Sequence, residues 1–98
     1  MSEIIKQFYI DNNTPKILLD QKMKQFGKYP DIAAEFENWI KNNSYKVDET
    51  VVVEGYTAKT LSEKSEYLNG EGAFMMLIEL RENPDKALSQ ISEGFKYK

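Results

Sequence analysis

The chain has 98 residues, thirteen basic and sixteen acidic, with a formal net charge of −3 and neither cysteine nor histidine. The missing cysteine excludes disulfides, thiolate nucleophiles and cysteine metal sites, and the missing histidine excludes the usual general base and the commonest transition-metal ligand. We therefore expect no enzyme activity, no cofactor and no metal. A small charge without a basic or acidic tail also gives no general attraction for nucleic acid or anionic membranes.

The size of the chain predicts one folded unit over residues 1–98. A hydrophobic fraction of 41% is enough to form a core, although a modest one. The longest apolar run, residues 73–78, is too short to cross a bilayer. The first ten residues lack the basic segment of a signal peptide, so we expect a cytoplasmic protein.

Apolar residues at helical spacing predict two helices before residue 28. The first covers residues 2–10. Thr14 is predicted as the N-cap of the second helix, with Pro15 at its first position, where the missing N–H costs nothing. Gly27 is the expected C-terminal stop of that helix.

A third helix is predicted to open at Pro30 and to end at residues 42–44. Its apolar stripe is the most regular in the chain and includes Trp39. Glu35 and Glu37 are assigned to the opposite, polar side. We therefore expect Trp39 to be mostly buried, so that Trp39→Ala lowers the free energy of unfolding by about 3–5 kcal/mol.

The next segment contains the only run of β-branched residues, Val51 to Val53. One three-residue strand without a second strand is marginal, so the run is predicted to be an extended segment on the core. Thr57 is the expected N-cap of a fourth helix that ends near residues 65–66. Tyr56 and Leu61 have the spacing of a hydrophobic staple around this cap.

Residues 73–80 form a short apolar run between a glycine and a proline, which fits either a buried strand or a helix. The run is composed mostly of helix formers, and Ile78 is its one β-branched member, so a helix is favoured. Asn83 and Pro84 then begin a last helix that ends before Gly94. The sequence thus predicts an all-α fold, a compact bundle of about five short helices around a central apolar helix, with one short extended segment.

The spacing over residues 57–80 is that of a helix-turn-helix unit. However, the second helix offers only Arg81 to DNA, among Glu71, Glu79 and Glu82, where a recognition helix needs basic and amide side chains. We therefore expect binding to duplex DNA to be no tighter than roughly 10⁻⁵ M. A core helix with the same geometry is the favoured interpretation.

Three other features have a functional and a structural interpretation, and the structural one is favoured for each. Residues 69–72 could cradle an anion at a helix start, but Glu71 would repel a phosphate, so a turn with close packing at Gly72 is preferred. The acidic pair Glu79 and Glu82 is expected to be a solvated face. The same applies to the basic surface of the second helix, formed by Lys16, Lys22, Lys24 and Lys28.

Three segments of the second half carry a resemblance to known proteins: VEGYTA at residues 53–58, GA at 72–73 and LIELRENP at 77–84. In these segments the chain resembles small proteins encoded in Firmicutes genomes, often within conjugative or phage-like mobile elements. The resemblance covers about the last 45 residues. It implies an accessory protein, and it assigns no role to any residue because the group has no established activity.

The favoured hypothesis is a small cytoplasmic accessory or regulatory protein that acts by protein–protein contact and has no catalytic activity. The alternative is a helix-turn-helix-like, nucleic-acid-associated regulator, although nucleic acid is the less expected partner. Met75, Met76, Tyr56 and Arg81 are the predicted partner-binding residues. Because consecutive apolar residues surround the helix over 73–80, it must either be fully enclosed in the monomer or share a face with a partner or a homodimer.

Overall fold

The computed structural model describes residues 3–42, 50–64 and 70–93, and six helices lie within these ranges. They are α1 (Glu3–Asp11), α2 (Lys16–Lys28), α3 (Pro30–Lys41), α4 (Ala58–Lys64), α5 (Glu71–Glu82) and α6 (Pro84–Ser92). The predicted all-α bundle is confirmed, with six helices where about five were expected. Our predictions for Asn43, Ser44, the end of the fourth helix and Gly94 fall outside the described residues.

The bounds of α2 differ from the prediction at both ends. Pro15 has ψ 145°, which is extended, so it takes the N-cap position and no side chain caps the helix. Thr14 therefore lies one residue too early to be the cap. At the other end α2 continues through Gly27 to Lys28, and Tyr29 is its C-cap. The helix ends there because the proline that follows disfavours a helical conformation at Tyr29.

Thr57 caps α4 as predicted. The backbone N–H of Thr60 donates to the Thr57 hydroxyl at 3.1 Å, and the N–H of Thr57 donates to the Thr60 hydroxyl at 2.9 Å. This is a reciprocal capping arrangement with threonine in the place of the usual glutamate. It satisfies two backbone donors that would otherwise be unpaired at the helix start.

The valine segment before α4 is extended and lies on the core, as predicted. Val51 and Val53 are buried and Val52 is exposed, which is the alternation of an extended chain. Val53 and Tyr56 exchange two backbone hydrogen bonds of 2.9 Å around a tight turn. The turn has positive φ at Glu54 and Gly55, and its glycine adopts that conformation without a Cβ penalty.

Two helices, α3 and α5, share the centre of the fold. Helix α5 packs against α3, α4 and α6, while α3 packs against α1, α2 and α5. The buried residues of α5 are Ala73, Phe74, Met76, Leu77, Ile78 and Leu80, and at about 100° per residue they cover roughly 200° of the helix circumference. Met75 is half-buried. The remaining strip of α5 carries Met75 and Glu79, which are half-buried, and the exposed Glu82, so complete enclosure is not confirmed and a face shared with a partner stays a prediction. Helix α3 is a second hub that the sequence pattern did not single out.

An aromatic cluster joins the helices of the first half to α5. It consists of the rings of Phe8, Tyr9, Phe26, Phe36, Trp39 and Phe74. Phe36 is fully buried, and the centroid of its ring lies 5.0 to 6.2 Å from those of all the others. Tilted and edge-on pairs at such distances contribute energy beyond simple burial. Phe36 is thus the residue at which four helices meet.

Trp39 lies at the edge of this cluster and packs against the core with part of its ring exposed, in agreement with the expectation that it is mostly buried. Its ring packs on Gly70, which precedes α5 and has φ +64°. A Cβ at Gly70 would lie 2.9 Å from two ring atoms of Trp39, closer than carbon atoms approach each other. Close packing and positive φ thus occur together at Gly70, and the close packing expected at Gly72 stays a prediction.

Truncation of Phe36 tests the role of the aromatic cluster. Phe36→Ala should lower the free energy of unfolding by about 3–5 kcal/mol, because it leaves a cavity in contact with three neighbouring helices. Urea unfolding followed by circular dichroism at 222 nm measures the loss. Phe8→Ala is the matched control, since Phe8 is only half-buried and its loss should be smaller. Equal losses in the two variants would contradict a central role for Phe36.

Two glycine substitutions separate backbone strain from crowding. Gly55 and Gly70 both have positive φ, but a Cβ at Gly55 meets nothing within 4 Å. Gly55→Ala should therefore cost about 1 kcal/mol from strain alone, whereas Gly70→Ala should cost roughly 2–4 kcal/mol because the methyl group also displaces Trp39. Urea unfolding measures both. A similar cost at the two positions would show that the contact with Trp39 is loose.

Candidate functional site

The four predicted partner-binding residues have different environments. Met76 is only 9% exposed, so it has almost no surface to offer a partner. Met75 and Tyr56 are half-buried, and the Lys64 ammonium lies 6.0 Å over the Tyr56 ring. Arg81 is exposed but already engaged within the chain. Partner binding through Met75 and Tyr56 stays a prediction, and Met76 belongs to the core.

Arg81 connects the end of α5 to the start of α3. Its guanidinium donates two hydrogen bonds to the Asp31 carboxylate, at 2.7 and 2.6 Å, and lies 5.6 Å over the Tyr29 ring. The hydrogen bond from Arg81 lowers the pKa of Asp31, and the same contact raises the pKa of Arg81. Bidentate geometry fixes the orientation of the two side chains, although an exposed pair adds little stability. Arg81 therefore has a structural role, because it holds the end of α5 against the start of α3.

The packing of α5 bears on the helix-turn-helix alternative. A recognition helix needs one face free to enter the major groove. Six of the twelve residues of α5 are buried, and the strip that is not buried carries Met75 together with the glutamates at positions 71, 79 and 82. The basic residue near its end, Arg81, is paired with Asp31. The strip of α5 that is not buried is therefore acidic, and it would repel the phosphates of DNA.

The first turn of α5 is fastened to α1 and α2 through Glu71. The Tyr9 hydroxyl donates to Glu71 Oε2 at 2.8 Å, and Lys22 Nζ donates to the same oxygen at 2.9 Å. Lys22 also lies 5.4 Å over the Tyr9 ring. The Glu71 carboxylate therefore lies at the start of α5, where it would repel a phosphate. Its position supports the turn interpretation of residues 69–72 over anion binding. One of the four lysines of α2 is engaged here.

Glu35 is a buried acidic residue that the sequence pattern placed on the polar side of α3. It is 3% exposed, and its Oε2 accepts hydrogen bonds from the Thr50 hydroxyl at 2.7 Å and from the Val51 N–H. Its Oε1 has no hydrogen-bond partner among the described residues. Glu35 directly precedes Phe36 and follows Ile32 by three positions, so it lies next to the apolar stripe of α3. This position was the one signal in the sequence that Glu35 is buried. The residue anchors the valine segment to α3.

The outer face of α2 combines exposed apolar and basic side chains. Ile17 is 69% exposed and Leu18 is 44% exposed, although both have large apolar side chains. A shallow depression of about 330 Å³ continues from Leu18 along the helix. Its lining is Leu18, Gln21, Lys22, Lys24, Gln25 and Lys28. We refer to Ile17, Leu18, Lys24 and Lys28 as the α2 ridge.

A second concave feature lies between α1, α2 and α3. It is half-open, has a volume of about 300 Å³, and we call it the α1–α3 cleft. Its lining is Ile5, Met23, Phe26, Gly27, Pro30, Ala33, Ala34 and Glu37. Glu37 is the one charged residue in this lining.

The contact between the buried Tyr9 and Glu71 predicts how the free energy of unfolding depends on pH. Burial, and then the charge of Glu71 and its hydrogen bond, raise the pKa of Tyr9 above its ordinary value of 10.0. Above pH 10 the unfolded chain therefore releases this proton while the folded chain keeps it. The free energy of unfolding should fall as the pH rises past 10, by up to about 1.4 kcal/mol per pH unit.

Urea unfolding at pH 8, 10 and 11 measures this decline in stability. Tyr9→Phe is the matched variant, because it keeps the ring in the aromatic cluster and removes the titrating hydroxyl. We expect a shallower decline above pH 10 in this variant. An equally steep decline would assign the effect to other groups.

Within the described ranges there is no cluster of three acidic residues arranged to hold a metal ion. None of the helices in those ranges has the length and apolarity that a bilayer crossing requires. Comparison with protein-family models, with curated proteins and with solved structures gives no match. The resemblance to proteins of mobile elements therefore stays a prediction.

Proposed function

We propose that this protein is a small cytoplasmic accessory or regulatory module that acts by protein–protein contact through the α2 ridge and has no catalytic activity. The observation that carries the proposal is the exposure of Ile17 and Leu18 beside lysines on one helix. Scattered apolar residues are normal on a surface, but two large ones at 69% and 44% exposure next to a depression offer a contact area.

The charge of α2 indicates what kind of partner would fit the ridge. The helix carries four lysines and one aspartate, in a chain whose net charge is −3. Lys16 pairs with Asp20 and Lys22 with Glu71, whereas Lys24 and Lys28 have no ion pair within the described part of the chain. An acidic, amphipathic helical segment would place its apolar side chains on Ile17 and Leu18 and its carboxylates near these two lysines.

The expected strength of such a contact is modest. Burying the exposed parts of Ile17 and Leu18 would contribute about 2 kcal/mol, and ion pairs at a solvated rim add mainly orientation and association rate. A small interface of this kind is typical of transient, regulatory contacts. A homodimer through α5 stays an alternative, because Met75 is half-buried on the strip of this helix that is not enclosed.

A substitution pair on the ridge tests the proposal. Ile17→Ser with Leu18→Ser removes the apolar surface, and both side chains are exposed, so the fold should persist as judged by circular dichroism. Affinity capture from a host lysate, followed by quantitative mass spectrometry, should show at least a roughly tenfold loss of the specific partner. Lys24→Glu with Lys28→Glu should weaken the same partner if that partner is acidic.

Val52→Ser is the matched control, since Val52 is 57% exposed but lies outside α2. It should capture the same partners as the wild type. Retention of all partners by the Ile17 and Leu18 variant would refute the ridge as the contact surface. Capture of nucleic acid alone, lost in the lysine variant, would favour the regulator hypothesis instead.

A further inference from the structure

The α1–α3 cleft has an apolar floor made by three helices. Ile5 of α1 and Met23 and Phe26 of α2 are buried beneath it, at 0%, 6% and 2% exposure. The small side chains of Ala33 and Ala34 of α3 keep the space above this floor open. At about 300 Å³, the cleft is at the lower end of the range of small-ligand sites.

Glu37 is the feature that gives the cleft chemical selectivity. It is half-buried at the lining of the cleft, and neither a hydrogen bond nor an ion pair engages it within the described residues. Lys41 follows one turn later on α3, yet no ion pair joins the two side chains. A partly desolvated carboxylate beside an apolar surface attracts a cation that also carries an apolar body.

Gly27 is the second, independent observation. It lies inside α2 with no positive φ, and a Cβ built on it would meet nothing within 4 Å. Neither the backbone conformation nor crowding therefore requires glycine, although glycine in a helix costs about 0.5–1 kcal/mol relative to alanine. Gly27 lines the cleft, so the missing side chain leaves this part of the lining bare. Gly27 keeps one wall of the cleft open at the expense of helix stability.

We propose that the α1–α3 cleft binds a small apolar amine in its protonated form. The ammonium group would pair with the Glu37 carboxylate, and a single aromatic or branched aliphatic body would lie over Ala33 and Ala34, above the buried floor of the cleft. The proposal is independent of the α2 ridge, because none of the four residues that define the ridge lines the cleft.

Three probes of matched shape test the proposal: phenethylammonium, phenethyl alcohol and 3-phenylpropionate. Each is titrated into the full ¹⁵N-labelled chain at pH 7 and low salt, and amide shifts are followed by NMR. The amine should bind with a Kd on the order of 1 mM, as expected for a ligand of so few atoms, and should shift the amides of Gly27, Ala33 and Ala34. The alcohol should bind about two- to fivefold more weakly, and the acid more weakly still.

Two variants test whether Glu37 causes the preference for the amine and whether the probes bind in the open space of the cleft. Glu37→Gln should reduce the affinity for the amine to that for the alcohol and leave the alcohol unchanged. Glu79→Gln is the matched control, a half-buried helical glutamate that does not line the cleft. Gly27→Leu should fill the cleft and abolish the binding of all three probes. If that variant does not fold, Ala34→Leu fills the cleft from the exposed side.

Each other outcome would overturn the proposal. Equal binding of the amine and the alcohol would remove the role of Glu37, and shifts confined to the α2 ridge would place the probes elsewhere. A blocked dipeptide, N-acetyl-phenylalanyl-arginine amide, distinguishes a free amine from the side chains of a partner protein. Binding of this dipeptide at least ten times more tightly than phenethylammonium would identify a protein segment as the occupant.

Discussion

The burial of one phenylalanine ring, that of Phe36, holds the two halves of this chain together. The six helices have seven to thirteen residues each, which is too short for helices of ordinary sequence to be stable alone in water. Their stability must come from contacts between them. Phe36 lies on α3 and meets rings from α1, α2 and α5, so it links the three helices of the first half to α5 of the second half.

The polar contacts of the fold are concentrated at the two ends of α5. Glu71 fastens its first turn to α1 and α2, and Arg81 fastens its last turn to α3. These contacts add little energy individually, but they fix the orientation of an apolar helix whose packing alone would tolerate rotation. Lys24, Lys28 and Glu37 are among the charged groups that have no ion pair within the described residues, and the two proposals concern these three side chains.

Local signals in the sequence predicted the helices, including the one over residues 73–80, because turn residues and propensities act within a few positions. The sites depended on contacts distant in sequence. Glu35 is buried because residues fifteen positions later fold over it, and Glu71 is paired with side chains 49 and 62 positions away. Met76 was assigned to a partner but is buried by other helices. The exposure of Ile17 follows from its position off the buried stripe of α2, which a helical projection would have shown.

The position of Trp39 has a practical consequence. It is the sole tryptophan of the chain, and it contacts Gly70 and the rings of Phe8, Phe36 and Phe74. Its intrinsic fluorescence is therefore a built-in optical signal for the docking of α1, α3 and the start of α5. A molecule bound on the outer face of α2 would leave this emission nearly unchanged, whereas any separation of the two halves would shift it to longer wavelength.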